Sequence, residues 1–360
     1  MSASRCRYAP RVNELLIGLL SAMVSTNPVV AASNALAQTT GIRAPVVDPS
    51  DPVEREYRQL LERDDAAQTE VDEWIREAGE KDAAGDDLAA ITLNARVKQR
   101  FEPVEQGYAD FLRRYPGHTR ARLAYGSMLS DFGRHDEAVA QWEKARELDP
   151  ANPATWNNLA DHFSHFGPAR KCLEYFAKAV ELNPKEPLYR QNLATAVFVF
   201  RADARELYGL ADDQAVLRKA LELYRDARTA APNDFKTATD LAQVYYYLSP
   251  TAAADEAARG RAAEALVREG LAAWNEAGTL APSDLEREGI ALHMARFCGM
   301  HGRYDEGRKL LEKVTHPGLA DIKARVKRGI EFKEQGSSPQ GGGRPAPEGT
   351  RSDAKGESAR

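Results

Sequence analysis

Five positions of this chain recur at a single displacement: Gly133, Ala138, Trp142, Ala145 and Pro150 are echoed 34 residues later by Gly167, Cys172, Phe176, Ala179 and Pro184. A period of that length encodes one helix–turn–helix unit, and a unit so short buries its apolar face only against its neighbours. The expected fold is therefore all-α, a right-handed α-solenoid of stacked antiparallel hairpins. Such an array predicts a binding surface without built-in chemistry.

The residue types fit that geometry. In the clearest units, Leu123, Tyr125, Gly126 and Leu129 precede the echoed set, and Trp156, Leu159, Ala160 and Phe163 do so one repeat later. Small residues let helix A approach helix B, an aromatic fills the gap above, and proline after helix B blocks continuation because it lacks a backbone donor. Gly133 and Gly167 are expected to close helix A in a tight turn.

The other units are less regular. Upstream, Leu88, Ile91, Thr92 and Ala95 suit a helix A, and Val104, Tyr108, Phe111 and Pro116 a helix B and exit turn. The fourth unit opens with Leu188, Asn192, Leu193, Ala194 and Val197, but Ala220, Tyr224, Ala227 and Pro232 arrive about 14 residues late. The fifth, from Ala238, Leu241, Ala242 and Tyr245 to Gly270, Trp274, Ala277 and Pro282, carries about 16 extra. The extra residues are rich in Ala, Glu, Arg and Leu, which predicts lengthened helices rather than loops. A sixth unit runs through Met294, Ala295, Cys298, Gly302, Gly307, Leu311 and Val314. The expected organisation is a leader or membrane anchor over 1–37, a linker and N-terminal helix over 38–84, six units over 85–317, a capping helix over 318–334 and a disordered tail over 335–360.

These residues resemble the tetratricopeptide repeat family over about residues 85–317, most clearly at 119–152 and 153–186, and the broad mixing of Ala, Arg and Glu with an export-like leader suggests a bacterial protein. The resemblance implies a scaffold or adaptor that binds proteins or peptides on a concave surface lined by its A helices. The basic clamp with which some members hold a carboxylate terminus is not reproduced, and Asp161 would repel such a terminus. Asn158 and Asn192 stand one repeat apart, where an amide can donate to a peptide carbonyl and accept from its N–H; solvent exposure or helix-to-helix hydrogen bonding is the competing reading. The candidate partner contacts are Asn157, Asn158, Asp161, Gln191, Asn192 and Tyr246, with Tyr245 assigned to the core.

No catalytic or cofactor motif accompanies them. A net charge of −5 with acids and bases intermixed gives no cationic stripe for nucleic acid. His162 and His165 share a helix without an identifiable third metal ligand, and Asp64 with Asp65, like Asp212 with Asp213, reads as a solvated face or a cap. Neither catalytic residues, a metal site nor a cofactor is expected. Cys172 and Cys298 fall at packing positions and are expected to be unpaired. The basic segment with Lys323, Arg325, Lys327 and Arg328 is diluted by acids, which leaves membrane contact open and favours a solvated cap.

At the N-terminus, Arg5, Arg7 and Arg11 precede the apolar run 15–24 and the small triplet Ala35, Leu36, Ala37, an order that predicts an export signal cleaved after Ala37. A periplasmic or envelope-associated, non-catalytic interaction scaffold is the leading expectation. Its alternatives are a cytoplasmic location and a structural, self-assembling envelope subunit without specific peptide recognition. Homo-oligomerisation stays open.

Overall fold

The computed structural model describes residues 51–81, 87–250 and 255–337. The leader, the C-terminal tail beyond 337 and the side chains of Leu88 and Ile91 lie outside the described residues. Two compact units divide the chain, one ending at Ser249 and the other beginning at Pro250. Among the described residues the regular structure is helical throughout.

The first unit contains α1 (Pro52–Lys81), α2 (Asp87–Arg114), α3 (Thr119–Asp131), α4 (His135–Leu148), α5 (Pro153–Phe166), α6 (Ala169–Leu182), α7 (Pro187–Val199), α8 (Arg201–Leu207), α9 (Asp213–Ala230) and α10 (Phe235–Val244). Helix α3 packs on α4, α5 on α6 and α7 on α9, so these pairs are the hairpins. The chain starts its A helices at α5 and α7 by the same device. Asn152 and Glu186 accept the N–H of residues 154 and 188 from the N-cap, and Pro153 and Pro187 occupy the first turn, where a missing donor costs nothing. Trp142 lies over Gly126, and its indole N–H donates to the Leu123 carbonyl at 3.3 Å. Ala138, Ala145, Cys172, Phe176 and Ala179 are buried at the positions that the period assigns to the hairpin cores.

Three departures from the sequence expectation have physical causes. Residues 87–114 form one continuous helix rather than a hairpin, and its partner is α1, which packs Tyr57, Leu60 and Val71 against Phe101, Val104, Tyr108 and Phe111. The extra residues of the fourth unit form the separate helix α8 in addition to a longer α9. Phe200 breaks the ladder before α8, and Gly209 at φ +59° ends it. The two glycines that were expected to act alike differ: Gly133 has φ +71°, with the Arg134 N–H donating to Leu129 O and the Gly133 N–H to Ser130 O, whereas Gly167 has φ −133°. Gly167 is required by space instead, since a Cβ there would stand 2.4 Å from Cδ1 of Phe163.

The second unit contains α11 (Glu256–Thr279), α12 (Asp284–Met300), α13 (Tyr304–Glu312), a short 3-10 turn (Pro317–Leu319) and α14 (Ala320–Ser337). Helix α12 packs on α11, α13 and α14. Ile330 of α14 fits against Gly299 and Gly307, where an added Cβ would meet it at 2.7 and 2.9 Å. The fifth hairpin read from the sequence divides here: α10 has only 10 residues and belongs to the first unit, while α11 has 24 and belongs to the second. Cys172 and Cys298 are both buried and free, and burial pushes their thiols up to about 12 and about 11.

Candidate functional site

Within the first unit, α3, α5, α7 and α10 touch one another in succession, which gathers four A helices onto one face. Five of the six candidate contacts lie on α5 and α7, Tyr246 lies in the turn after α10, and a regular rule links Asn157, Asn158, Gln191 and Asn192 to neighbouring A helices. Asn192 donates from Nδ2 to Oδ1 of Asn157 at 2.9 Å, joining α7 to α5. One repeat on, Gln191 donates from Nε2 to Oδ2 of Asp240 at 3.3 Å, joining α7 to α10. One repeat back, the position equivalent to Asn157 is Leu123, which has no polar side chain. Asn158 reaches Oγ of Ser127 instead at 3.4 Å, and that hydroxyl donates to the Leu123 carbonyl.

The ladder thus has a rung between each pair of neighbouring A helices. The asparagines repeat as a residue type in the sequence, whereas the equivalent position of α10 is the acid Asp240. Asp240 accepts from Gln191 at the position where Asn158 and Asn192 donate, so it continues the ladder with the direction reversed, and Lys236 Nζ donates to the same oxygen at 2.8 Å. Asn157, Asn158 and Asn192 are half-buried, Gln191 is buried, and Tyr246 is half-buried in the turn after α10. Tyr245 is buried, as expected, and accepts from Arg225 at 2.9 Å.

Asp161 lies one turn beyond the asparagines on α5 and is open to solvent, yet protein atoms crowd it on several sides. Desolvation raises its carboxyl above the usual range, and His165 and His162 partly offset the rise. Asp131, at the end of α3, behaves alike: exposed in area but crowded, it is pushed up to about 6 by desolvation and then by Asp64. Exposure governs how much such a shift is worth, because water screens what crowding raises. Asp64 itself overturns the expectation of a solvated face. It is 6% exposed and accepts from the Tyr108 hydroxyl at 2.5 Å and from Gln68 at 3.0 Å. Asp212 does serve as a cap, accepting from the Ala215 N–H.

The other end of the face is aromatic. Phe198 meets Tyr247 edge to face at 5.3 Å, and the Arg201 guanidinium lies over both rings at 5.5 and 5.4 Å. Tyr247 is the more exposed neighbour of Tyr246, and the short α10 ends before both. His162 and His135 pack around Phe166, at 5.3 and 4.4 Å between rings. Among the described residues no group of three or more His, Cys, Asp or Glu converges to hold a metal, and no helix is long and apolar enough to cross a membrane.

The tetratricopeptide repeat family model matches residues 119–162, which span α3, α4 and most of α5. That segment is similar to a tetratricopeptide repeat. No curated protein is detectably similar in sequence. Solved tetratricopeptide-repeat structures do resemble it. YrrB, described as having an unusual peptide-binding site, is 12% identical, covers 61% of this chain and 97% of its own, and superposes with a TM-score of 0.46. A thermophilic repeat protein of Thermus thermophilus is 20% identical over 59% of this chain and 99% of its own, with a TM-score of 0.39. The C-terminal part of a repeat-containing protein of Cytophaga hutchinsonii is 10% identical over 77% of this chain and 98% of its own, with a TM-score of 0.48. At these values nothing about the partners of this chain follows from the likeness.

Proposed function

We propose that this protein is a non-catalytic interaction scaffold whose first unit holds an extended protein segment along the face of α3, α5, α7 and α10. The observation that supports this reading most is the rung pattern: three side-chain hydrogen bonds run across that face, one between each pair of neighbouring A helices. An amide has two N–H donors and an acceptor oxygen. In the rungs Asn158 and Asn192 each spend one N–H laterally, which pins their orientation while capacity remains for a peptide backbone. Pre-orientation of that kind lowers the entropy lost on binding.

The N-terminal order of basic, apolar and small residues supports export, with the scaffold in the periplasm or at the envelope. Mass spectrometry of the mature protein tests it: a first residue of Gln38 is expected, and an intact N-terminus on a cytoplasmic protein contradicts it. The groove reading is tested by Asn158→Ala with Asn192→Ala. Affinity for a captured partner should drop about tenfold with helicity unchanged. Unchanged affinity, with assembly abolished by substitutions in α14, would instead favour a structural subunit.

A further inference from the structure

Charge is distributed unevenly along the groove, and the distribution specifies the kind of segment that fits. Most acids near this face are already neutralised. Glu54 pairs with Arg120 and sits 3.5 Å from His118, and Asp240 pairs with Lys236. Asp131 and Asp161 differ: among the described residues neither carboxylate has a cation within ion-pair distance. They stand on adjacent A helices, exposed and without an ion-pair partner, so an incoming cation is attracted to this end of the face. The opposite end presents apolar surface. Val199 is 56% exposed, and Tyr247 is 38% exposed with one neighbour the Phe198 ring and another the Arg201 guanidinium.

We propose that the groove recognises an extended basic segment, with a Lys or Arg side chain set against Asp131 and Asp161 and an aromatic or branched aliphatic residue set against Val199 and Tyr247. This rests on the groove reading and deepens it by naming the partner chemistry. Helices packed 8–10 Å apart make the path from α3 to α10 on the order of 27 Å, roughly eight residues of extended chain. An acidic segment in the same register meets two carboxylates of its own sign at one end. A basic segment without an apolar residue leaves Val199 and Tyr247 in water. Both features together therefore set the preference.

The test uses the full-length protein and fluorescein-labelled synthetic peptides of about ten residues. One carries Lys and Arg near one end and Trp and Leu near the other; the second has Glu in place of Lys and Arg; the third has Ala in place of Trp and Leu. Fluorescence anisotropy should show the first binding at least about tenfold more tightly than either other, with affinity falling as salt rises. Asp131→Asn with Asp161→Asn should weaken it about tenfold and abolish the discrimination against the Glu peptide, with circular dichroism unchanged. Equal or tighter binding of the Glu peptide overturns the charge assignment, and if Asn158→Ala then weakens that binding, the groove reading survives alone. Binding of the basic peptide that the Asn variants leave untouched overturns the assignment as well. No binding by any of the three peptides also overturns it, and crosslinking from Tyr246 then judges the groove reading independently.

Discussion

Asn192 and Asn157, 35 residues apart in sequence, meet at 2.9 Å across two A helices, with the amide of one donating to the carbonyl oxygen of the other. Residues separated by one repeat occupy the same place on successive helices. A one-residue offset therefore puts two side chains diagonally opposite, and the repeat period itself makes the contact.

That relationship predicts a measurable coupling. Asn157→Ala and Asn192→Ala each remove the same half-buried hydrogen bond, so the double variant should be less destabilised than the sum of the singles by about 0.5–1 kcal/mol. Urea unfolding of the four proteins in a double-mutant cycle measures it. Additive effects would show that the two amides are held independently.

Gly126→Ala should destabilise despite the better helix propensity of alanine. The new Cβ would stand 2.4 Å from Nε1 of Trp142, whose ring is anchored to the Leu123 carbonyl. Propensity favours the change by about 1 kcal/mol, while overpacking costs about 1–3 kcal/mol. The expected net loss is about 1 kcal/mol, read from the unfolding midpoint.

Gly133 and Gly167 should part company when each is replaced by asparagine. Asparagine tolerates the left-handed conformation, so Gly133→Asn at φ +71° is expected within about 1 kcal/mol of the parent. Gly167→Asn meets the Phe163 ring and backbone instead, at 2.4 and 3.1 Å from the new Cβ, and should cost more. Thermal unfolding of both variants checks the order.

This pair of glycines also marks what the sequence makes legible. The period located both turns and the buried Ala, Trp, Cys and Phe positions, because core residues at fixed spacing reflect one local geometry repeated. It did not distinguish a glycine chosen for φ from one chosen for space, because both leave the same letter. Irregular parts were harder for a related reason. Helix α2 runs through Pro103 without a break, and its partner α1 has no repeat signature; only their packed faces reveal the hairpin. In the candidate groove the asparagines were visible as a repeated type. Asp64 and Asp131 were not, since a lone acid on a helix carries no sign of whether neighbouring helices will crowd it.

His293 sets a pH dependence for the second unit. It stacks on Trp274 at 4.5 Å, and burial, followed by Arg296, lowers its pKa from 6.5 to about 4. The folded form therefore binds fewer protons than the unfolded chain between these values, and stability is lost as pH falls through that window. From about pH 7 to about pH 5 the loss attributable to this group is on the order of 2 kcal/mol. Hydrogen exchange across α11 and α12 should show it, and His293→Gln should remove that part of the slope.

Photo-crosslinking in the native cell tests the proposed groove most directly, from benzoylphenylalanine placed at Tyr246, half-buried in the turn after α10, and separately at Glu222, on the exposed surface of α9. A discrete adduct with a second protein is expected from position 246, reduced by Asn158→Ala with Asn192→Ala, and none from position 222. Adducts from position 222 alone, or adducts from 246 that the asparagine substitutions leave unchanged, would contradict it.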